Sequence, residues 1–522
     1  MRRPVILAAV VVFIASFCTM VIELAAGRVL APYVGVSLYT WTSIIGVVLA
    51  GISGGAWAGG WLADRRPVAS TLGWLLLASG LFAIAIVPAT SLLAADHGLL
   101  TSAGIATTLL ERVVILSFLL FFLPAFILGM ISPVAVKLAV RDLATTGQVV
   151  GRIYALSTLG SIAGTFTTGF YLVAKFGTRA TLIGVGVALI VSALLFGALF
   201  GRRGRAAAVL LICLVAAWAG LRPGAELPPP YQDPLLPRVA TGTVHREESQ
   251  YYTIQVVRTV REDTGAPLHA LHLDHLVHSF GDLEDPAYLH YSYLRMFRDM
   301  IEETVERRPD ARILFIGGGG YTLPRLVAGT WPDTVVDVVE IDPAVTRVAY
   351  RYFKVPAVSN IRTVNEDARW FAMRASSQYD VILIDAFNDL SVPYHLTTRE
   401  FTLLLQRLLR PGGVVAANVI DDFGDGRFLA SYLATLQSVF GETEVGLAME
   451  DPTDVDSDRS TFVVFASPHP PLFAEAFVLP PPELFTYVIE RDGIVLTDDF
   501  APVDNMLAPL FSGRFVDEIG EE

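Results

Sequence analysis

The sequence predicts two unlike parts in one chain: a multi-pass α-helical membrane domain, followed by an α/β domain with a doubly wound sheet. Three observations predict this. Apolar runs of membrane-spanning length fill residues 1–221. Charge is split just as unevenly: up to Leu221 there are 14 Lys and Arg against 5 Asp and Glu, leaving 24 against 46 in the rest. Beyond a proline-rich stretch, short apolar runs alternate with helix-like segments, the pattern of a sheet wound on both faces.

A helix crossing the bilayer core needs roughly 20 mostly apolar residues. Runs near 5–26, 39–63, 71–94, 113–136, 152–174, 179–200 and 206–221 meet or approach this, giving about seven spans. The first run is too long for a signal peptide and lacks a small-residue cleavage site. Basic clusters at Arg2–Arg3, Arg65–Arg66, Lys137 with Arg141, and Arg202, Arg203 and Arg205 all fall on one side, which puts the N-terminus in the cytoplasm. If 206–221 crosses, the acidic part lies outside the cytoplasm; if it lies along the interface, that part stays inside. Gly51, Gly55 and Gly59, and likewise Gly160 and Gly164, recur every fourth residue, a spacing that lets helix backbones approach closely in lipid. Glu23 and Arg28 sit near the end of the first span, as snorkelling or partnered charges. Inverted repeats and buried charges of a transport pathway are not evident. The two cysteines, Cys18 and Cys213, lie in apolar runs and form neither a disulfide framework nor a metal motif.

The expected domains are 1–221 in the membrane, 222–240 as a Pro-rich linker containing LPPPYQDPLLP, 241–285 as a β-hairpin subdomain, and 286–522 as the α/β domain. Within the hairpin subdomain, 251–257 alternates around YYTIQVV, a turn follows at 263–267, and LHALHLDHLVHSF comes next. A helix is expected over 286–307, with strands over 313–316, 335–339, 360–367 and 379–385. Pro411-Gly412-Gly413 marks a turn before a strand at 414–419, and 443–447 with 461–466 reads as a final antiparallel pair. The acidity of this half argues against nucleic acid as a partner, which wants a basic face.

Chemistry concentrates in ILFIGGGGYTLPRLVAGTWPDTVVDVVEID, residues 313–342. It reads as strand, glycine turn, helix, and strand ending in Glu340. Glycines there let backbone approach a ligand, and an acid at the end of the next strand suits ribose hydroxyls. Asp367 and Asp385 also stand at or just past strand ends, where ligands of such sheets bind. The competing reading of each strand-end acid is a helix cap. His275, His278 and His290 show no clear metal-ligand spacing, so no metal is expected. Residues 497–505, TDDFAPVDN, form either a loop closing over the site or a solvated turn.

Six pieces, SQYYTIQV, LHLDHLVHS, ILFIGGGG, VVEIDPAV, NEDARWF and YDVILIDAFND, together resemble the spermidine synthase (polyamine aminopropyltransferase) family. IELAAGRVLAPYVG is similar to the membrane region fused to such domains in bacterial homologues. The resemblance implies a methyltransferase-like Rossmann sheet with an N-terminal β-hairpin domain, and transfer of an aminopropyl group from decarboxylated S-adenosylmethionine, a co-substrate rather than a resident cofactor, to an amine such as putrescine. It implies that Gly317, Gly318 and Gly319 approach the nucleoside, that Glu340 holds the ribose, and that Asp367 and Ala368 contact adenine. Asp385 matches the catalytic aspartate. Tyr251, Asp274, His278, His290, Asn388 and Asp389 are placed on the substrate side.

This sequence departs from the family where a donor-binding aspartate is replaced by Gly320, where a second acid becomes Asn388, and where glycine and glutamine become His275 and His278. Gly320 tilts toward the alternative of an S-adenosylmethionine-dependent methyltransferase. A third reading is a transporter or sensor regulated by its nucleoside-binding domain. Expected partners are a small amine and the lipid bilayer, with a homo-oligomer left open.

Overall fold

The computed structural model describes residues 3–34, 37–65, 69–94, 109–140, 142–196, 242–274, 276–357, 359–386, 392–424, 426–450, 460–468, 477–479 and 481–511. The expected span 206–221, the linker 222–240, and His275, Asn388 and Asp389 lie outside them. The chain forms two compact units, the first built almost wholly from residues before 240 and the second from residues after it.

The first unit is helical: α1 (Arg3–Val34), α2 (Leu38–Arg65), α3 (Ala69–Ala94), α4 (Leu109–Ser117), α5 (Leu123–Ala139), α6 (Thr146–Thr167) and α7 (Val173–Phe196). A π-helical turn, Phe118–Phe122, joins α4 to α5, and another, Thr168–Leu172, joins α6 to α7. Large apolar side chains such as Trp57, Trp74, Phe166 and Phe170 are exposed on its outside. A helix apolar both inside and outside suits lipid rather than water. The buried stripe of α2 runs Ile44, Val48, Gly51, Gly55, Gly59, Ala63, and a Cβ on Gly51 or Gly59 would meet the Phe122 oxygen at 2.8 Å or the Met130 α-carbon at 2.6 Å. Close backbone contact therefore explains that glycine repeat.

Five helices among the described residues are long and apolar enough to cross a membrane: Val5–Ala31, Leu38–Arg65, Ala69–Thr90, Glu111–Ala139 and Lys175–Phe196. The expected span 152–174 is a helix, but it is not one of the five: Ser, Thr and Gly dilute its apolar character. The break expected after residue 174 is a kink at Gly177, whose φ is 76°.

The second unit opens with an antiparallel sheet in the order β1 (Thr243–Glu248), β2 (Thr253–Val260), β3 (Pro267–Leu273), β4 (Leu276–Asp282). It continues with α8 (Ser292–Arg307), β5 (Arg312–Ile316), α9 (Thr322–Thr330), β6 (Val335–Val339), α10 (Pro343–Tyr352), β7 (Ile361–Val364), α11 (Ala368–Arg374) and β8 (Tyr379–Ile384). It closes with α12 (Arg399–Leu408), β9 (Leu409–Asp421), α13 (Arg427–Phe440), β10 (Val445–Met449), β11 (Ser460–Ala466), β12 (Phe477–Leu479), α14 (Pro481–Glu490) and α15 (Val503–Leu507).

The large sheet has the order β12-β10-β11-β9-β8-β5-β6-β7. It is parallel from β9 to β7 and antiparallel beyond. The expected pair 443–447 with 461–466 is β10 with β11; β12 adds an edge strand. One expectation fails in detail. Pro411-Gly412-Gly413 is not a turn preceding a strand but an irregularity inside β9, where the register shifts between Tyr379 opposite Leu409 and Val381 opposite Val414. Gly412 takes φ 80° there, so the strand bends without ending. The expected helix 286–307 begins later, at Ser292.

Apolar side chains cover both faces of the sheet. Phe371, Phe401, Phe428 and Leu433 pack on one side, and Phe297, Ile301, Leu323 and Val327 on the other. β5 lies between β6 and β8, so the winding reverses there. Ligands of such sheets bind outside the carboxyl ends of the strands at that reversal.

Candidate active site

The glycine turn leaves β5 at this reversal. Gly317 takes φ 96°, and a Cβ on it would overlap the Asp385 carbonyl oxygen. Only glycine fits both the backbone and the space. The turn is pinned on each side: the Gly317 N–H donates to the Val339 carbonyl at 2.9 Å, and the Asp385 N–H donates to the Ile316 carbonyl at 2.8 Å. α9 then begins after Tyr321, which holds a left-handed φ of 56°.

Glu340 is buried beside this turn. Its Oε2 accepts from the Gly318 and Gly319 N–H groups at 2.9 and 3.4 Å, and its Oε1 accepts from the Asp342 N–H at 2.9 Å. Burial raises its pKa against the opposing pull of those N–H groups. Two nearby acids are helix caps. Asp342 accepts from Ala344 N–H ahead of α10, and Asp367 accepts from Trp370 N–H ahead of α11. The other Asp367 oxygen meets His395 Nε2 at 2.9 Å. Burial pushes the Asp367 carboxyl up, but these hydrogen bonds win and hold it below its ordinary value. Ala368 is buried at the start of α11.

Tyr251 stands among these acids: its phenol is raised by burial and then by the charges of Asp342, Asp367 and Glu340. It belongs to the Glu340 side rather than to the cavity walls.

Across the reversal, Asp385 follows β8 and faces a cavity of about 240 Å³. Tyr293 of α8 donates its hydroxyl to Oδ2 at 3.0 Å, and Asn418 of β9 donates Nδ2–H to Oδ1 at 3.1 Å. Burial raises the Asp385 pKa, and these two hydrogen bonds oppose it. The Tyr293 phenol is itself held well above its ordinary value, first by burial and then by Asp385, so it stays protonated as a donor. Gly317, Gly318 and Gly319 form part of the same cavity wall, which places the turn and the carboxylate in one space.

His278 of β4 lines this cavity too, and its Nε2 is buried without a partner. Burial, then the neighbouring His272, pushes its pKa down to about 4, so the imidazole is neutral near pH 7. Gly320 donates its N–H to Ser279 Oγ at 2.9 Å. A Cβ on Gly320 would lie 2.8 Å from the Ser279 Cβ and 3.2 Å from the Phe353 ring, so the position has no room for a larger side chain without a shift.

Two of the expected substrate residues are placed elsewhere. Asp274, in the β3–β4 turn with φ 56°, accepts from the Thr253 N–H at 2.9 Å. His290 packs on Phe280 and Tyr291 and shares a 2.9 Å hydrogen bond with the Tyr288 hydroxyl. Neither is among the cavity walls. The loop at 497–505 begins as a tight turn in which Thr497 and Phe500 pair, with Asp498 bound to Thr398 Oγ1 at 2.8 Å and to Arg369 at 2.6 Å. It is tied to the start of α12 and to α11, not to the cavity.

Tyr293 and Asn418 escaped the sequence reading. A signal existed for Asn418: it is the lone amide within the apolar run VVAANVI, and a buried polar group in such a strand wants a partner. Tyr293 stands in a helix rich in aromatic residues and carried no comparable mark. Among the described residues, no group of three His, Cys, Asp or Glu side chains is arranged to hold a metal ion.

A glycine turn at a strand's carboxyl end, an acid closing the next strand, and a carboxylate across the reversal define a Rossmann-like α/β domain of the methyltransferase kind. Residues 295–449 match the spermine/spermidine synthase domain. A polyamine aminopropyltransferase of Vibrio vulnificus is 42% identical over 134 residues, which cover 25% of this chain and 44% of that protein. Polyamine aminopropyltransferase 1 of Streptomyces coelicolor is 26% identical over 427 residues, 77% of this chain and 74% of that one. A stretch that long exceeds the α/β unit and runs into the helical part. Among solved structures, a probable spermidine synthase from Corynebacterium glutamicum aligns with a TM-score of 0.44 at 22% identity, covering 50% of this chain and 98% of that one. The chain spans less than half the length of the first curated relatives it matches. Over residues 295–449 the chain is thus similar to the spermine/spermidine synthase domain.

Proposed function

We propose that this chain is a membrane-anchored polyamine aminopropyltransferase, which moves the aminopropyl group of decarboxylated S-adenosylmethionine to an amine. The observation that carries the reading is Asp385, fixed by Tyr293 and Asn418 in the same cavity as the glycine turn. In the reaction the amine nitrogen attacks the methylene next to the sulfonium, the carbon–sulfur bond breaks, and the neutral thioether leaves with the electron pair. The new ammonium then gives up a proton, for which Asp385 is the acceptor at hand. Its raised pKa brings it nearer the working range of a general base. The rest of the acceleration comes from holding donor and acceptor in line.

In this reading Glu340 takes the ribose hydroxyls, and Gly317, Gly318 and Gly319 bring their backbone to the nucleoside. Asp367 and Ala368 mark the adenine end, with Tyr251 beside them. Relatives named polyamine aminopropyltransferases support the reaction. The helices of the first unit would anchor the protein, with the basic clusters in the cytoplasm. As domains we retain a membrane part over 1–221, a linker over 222–240, the hairpin subdomain over 241–285 and the transferase domain over 286–522.

Methyl transfer from S-adenosylmethionine is the second reading. Gly320 favours it, because a donor that keeps its carboxylate would be repelled by an acid at that position, and a Cβ there would crowd Ser279 and Phe353. The test is mass spectrometry of products formed by the full chain in detergent, given each donor with a panel of amines. An aminopropylated amine is the expected product; methylated product alone, or none, rejects the first reading. A reporter fused to the C-terminus decides on which side of the membrane the second unit lies.

A further inference from the structure

Asp367, at the adenine end of the proposed site, is gripped on both oxygens. Oδ1 accepts the Trp370 N–H at 2.9 Å, and Oδ2 lies 2.9 Å from His395 Nε2. Burial raises the Asp367 pKa, but its hydrogen bonds outweigh that, so it is ionised at neutral pH and can only accept. Nε2 is therefore the protonated nitrogen of the His395 ring. Two bonds from separate elements fix the rotation of the carboxyl group. Tyr251, its phenol raised first by burial and then by the charges of Asp342, Asp367 and Glu340, ties this carboxylate to the Glu340 side.

His395 is itself braced. It sits in a short helical turn, Tyr394–Leu396, whose Leu396 is buried. Its carbonyl accepts from Arg369 Nη1 at 3.0 Å, and the same nitrogen donates to Asp498 Oδ1 at 2.6 Å. Asp498 Oδ1 also accepts the Thr398 hydroxyl at 2.8 Å, at the cap of α12, and the Asp498 N–H donates to Glu400 Oε2 at 3.0 Å. The loop at 497–505 thus reaches the nucleoside side in two steps, from Asp498 to Arg369 and from Arg369 to the His395 backbone.

A carboxylate held in one orientation reads a nucleobase by what its edge donates. The exocyclic amino group of adenine donates. Hypoxanthine carries an oxygen at that place, which a carboxylate repels. Its nearest donor is on the neighbouring ring nitrogen, which a carboxylate must turn to meet. We infer that His395 is a positioning residue for nucleobase choice: by holding Asp367 in one orientation it makes the site prefer an amino purine to an oxo purine, with the 497–505 loop as its brace. The inference rests on the proposed placement of the nucleoside at Asp367, and its test separates the two.

Calorimetry of the full chain in detergent would compare methylthioadenosine with methylthioinosine, its hypoxanthine counterpart. The wild-type chain is expected to bind the first at least tenfold tighter. Binding of neither rejects the nucleoside site, and the inference falls with it; binding of both with equal affinity overturns the inference alone. His395→Ala should weaken methylthioadenosine tenfold or more and methylthioinosine less than threefold, the retained methylthioinosine binding showing that the variant is folded. His395→Gln, which keeps an N–H donor near the same place, should recover most of the loss. Parallel weakening of both ligands would make His395 a support of the fold only, and unchanged values would mean that Asp367 is oriented without it; either result overturns the inference and leaves the nucleoside placement standing. Asp367→Asn keeps the helix cap but removes the carboxylate. In that background His395→Ala should change the ratio of the two affinities less than twofold, because a residue that acts through Asp367 has nothing left to act on. A full tenfold change there overturns the inference as well. Asp498→Asn should lower the same ratio by about threefold; an unchanged ratio rejects the loop as the brace.

Discussion

Gly55 and Gly317 both lack room for a side chain, but for different reasons. At Gly55, within α2, a Cβ would overlap the Phe126 carbonyl oxygen of a neighbouring helix. At Gly317 it would overlap the Asp385 carbonyl oxygen, and the backbone also holds φ 96°. The first glycine sets a distance between helices. The second sets a distance and a conformation together, and aims the next two N–H groups at Glu340. In the helical unit, close packing is the purpose of the small residue; in the α/β unit, close packing is the means by which a binding surface is shaped. The two units should therefore fail differently when disturbed.

The largest effect is expected at Asp385. Asp385→Asn should lower turnover by about 10²–10⁴-fold, the usual contribution of a positioned acid or base. Binding of the thioether product should change less than threefold. A variant with near-normal turnover rejects the assignment of Asp385 as the proton acceptor.

Next comes Gly317→Ala, which combines overlap with backbone strain and should cost about 2–4 kcal/mol of stability in the α/β unit. Thermal unfolding followed with bound thioether should show the loss together with weaker binding. Unchanged binding would mean that the turn tolerates the side chain and that its conformation is not what forms the site.

The acidic half should also carry the pH dependence. Asp421 accepts the Leu429 N–H at 2.7 Å ahead of α13, and burial raises its pKa from 3.8 to about 6. A folded pKa above the unfolded one means that the folded state binds the proton more tightly. Stability from this group is then greatest at low pH and falls as pH rises from about 4 to 6, by about 3 kcal/mol. Asp421→Asn should flatten that fall, as read by denaturant melts across the window. Asp367, whose carboxyl is lowered, works in the opposite direction: its contribution is present above the ordinary carboxyl range and is lost as pH falls.

Gly55→Ala should cost about 1–3 kcal/mol through overpacking alone. It should lower the unfolding temperature in detergent and leave thioether affinity unchanged. If affinity falls as well, the contrast between the two glycines fails.

The smallest effect is expected from Glu340→Gln. One carboxylate exchanged for an amide should weaken donor binding by about 1–2 kcal/mol, with turnover at saturating donor nearly intact. Calorimetry with the thioether checks it; a large fall in saturated turnover would give Glu340 a role in the chemical step.

Much of this architecture was legible in the sequence because its signals are periodic and local. Apolar length marked the helices, and the runs ending at Ile316, Val339 and Ile384 marked the central strands. Glu340 could be singled out because its place after the second strand, beside the glycine turn, follows from the topology. Asp367 shows the limit of that reasoning. It stands at a strand end as expected, yet it also caps α11, and sequence position alone does not separate a cap from a contact. Asp274 and His290 are near the site in sequence logic, but local hydrogen bonds and ring packing hold them away from the cavity. Tyr293 could not be found, because its partner Asp385 is 92 residues away and nothing local to α8 declares the pairing. The bend inside β9 was read as a turn because Pro and Gly break strands in most settings, whereas here Gly412 absorbs the irregularity within continuous pairing.

The bond from the Asp385 N–H to the Ile316 carbonyl has a consequence for how this chain can diversify. It fastens the segment that begins at Asp385 to the end of the strand that carries the glycine turn, so the carboxylate and the turn are gauged from a common rigid frame. The aromatic wall contributed by α8 lies outside that frame. Phe297 of that helix can be exchanged to reshape the cavity while the turn and the carboxylate keep their spacing, whereas Tyr293 cannot, because it holds Asp385.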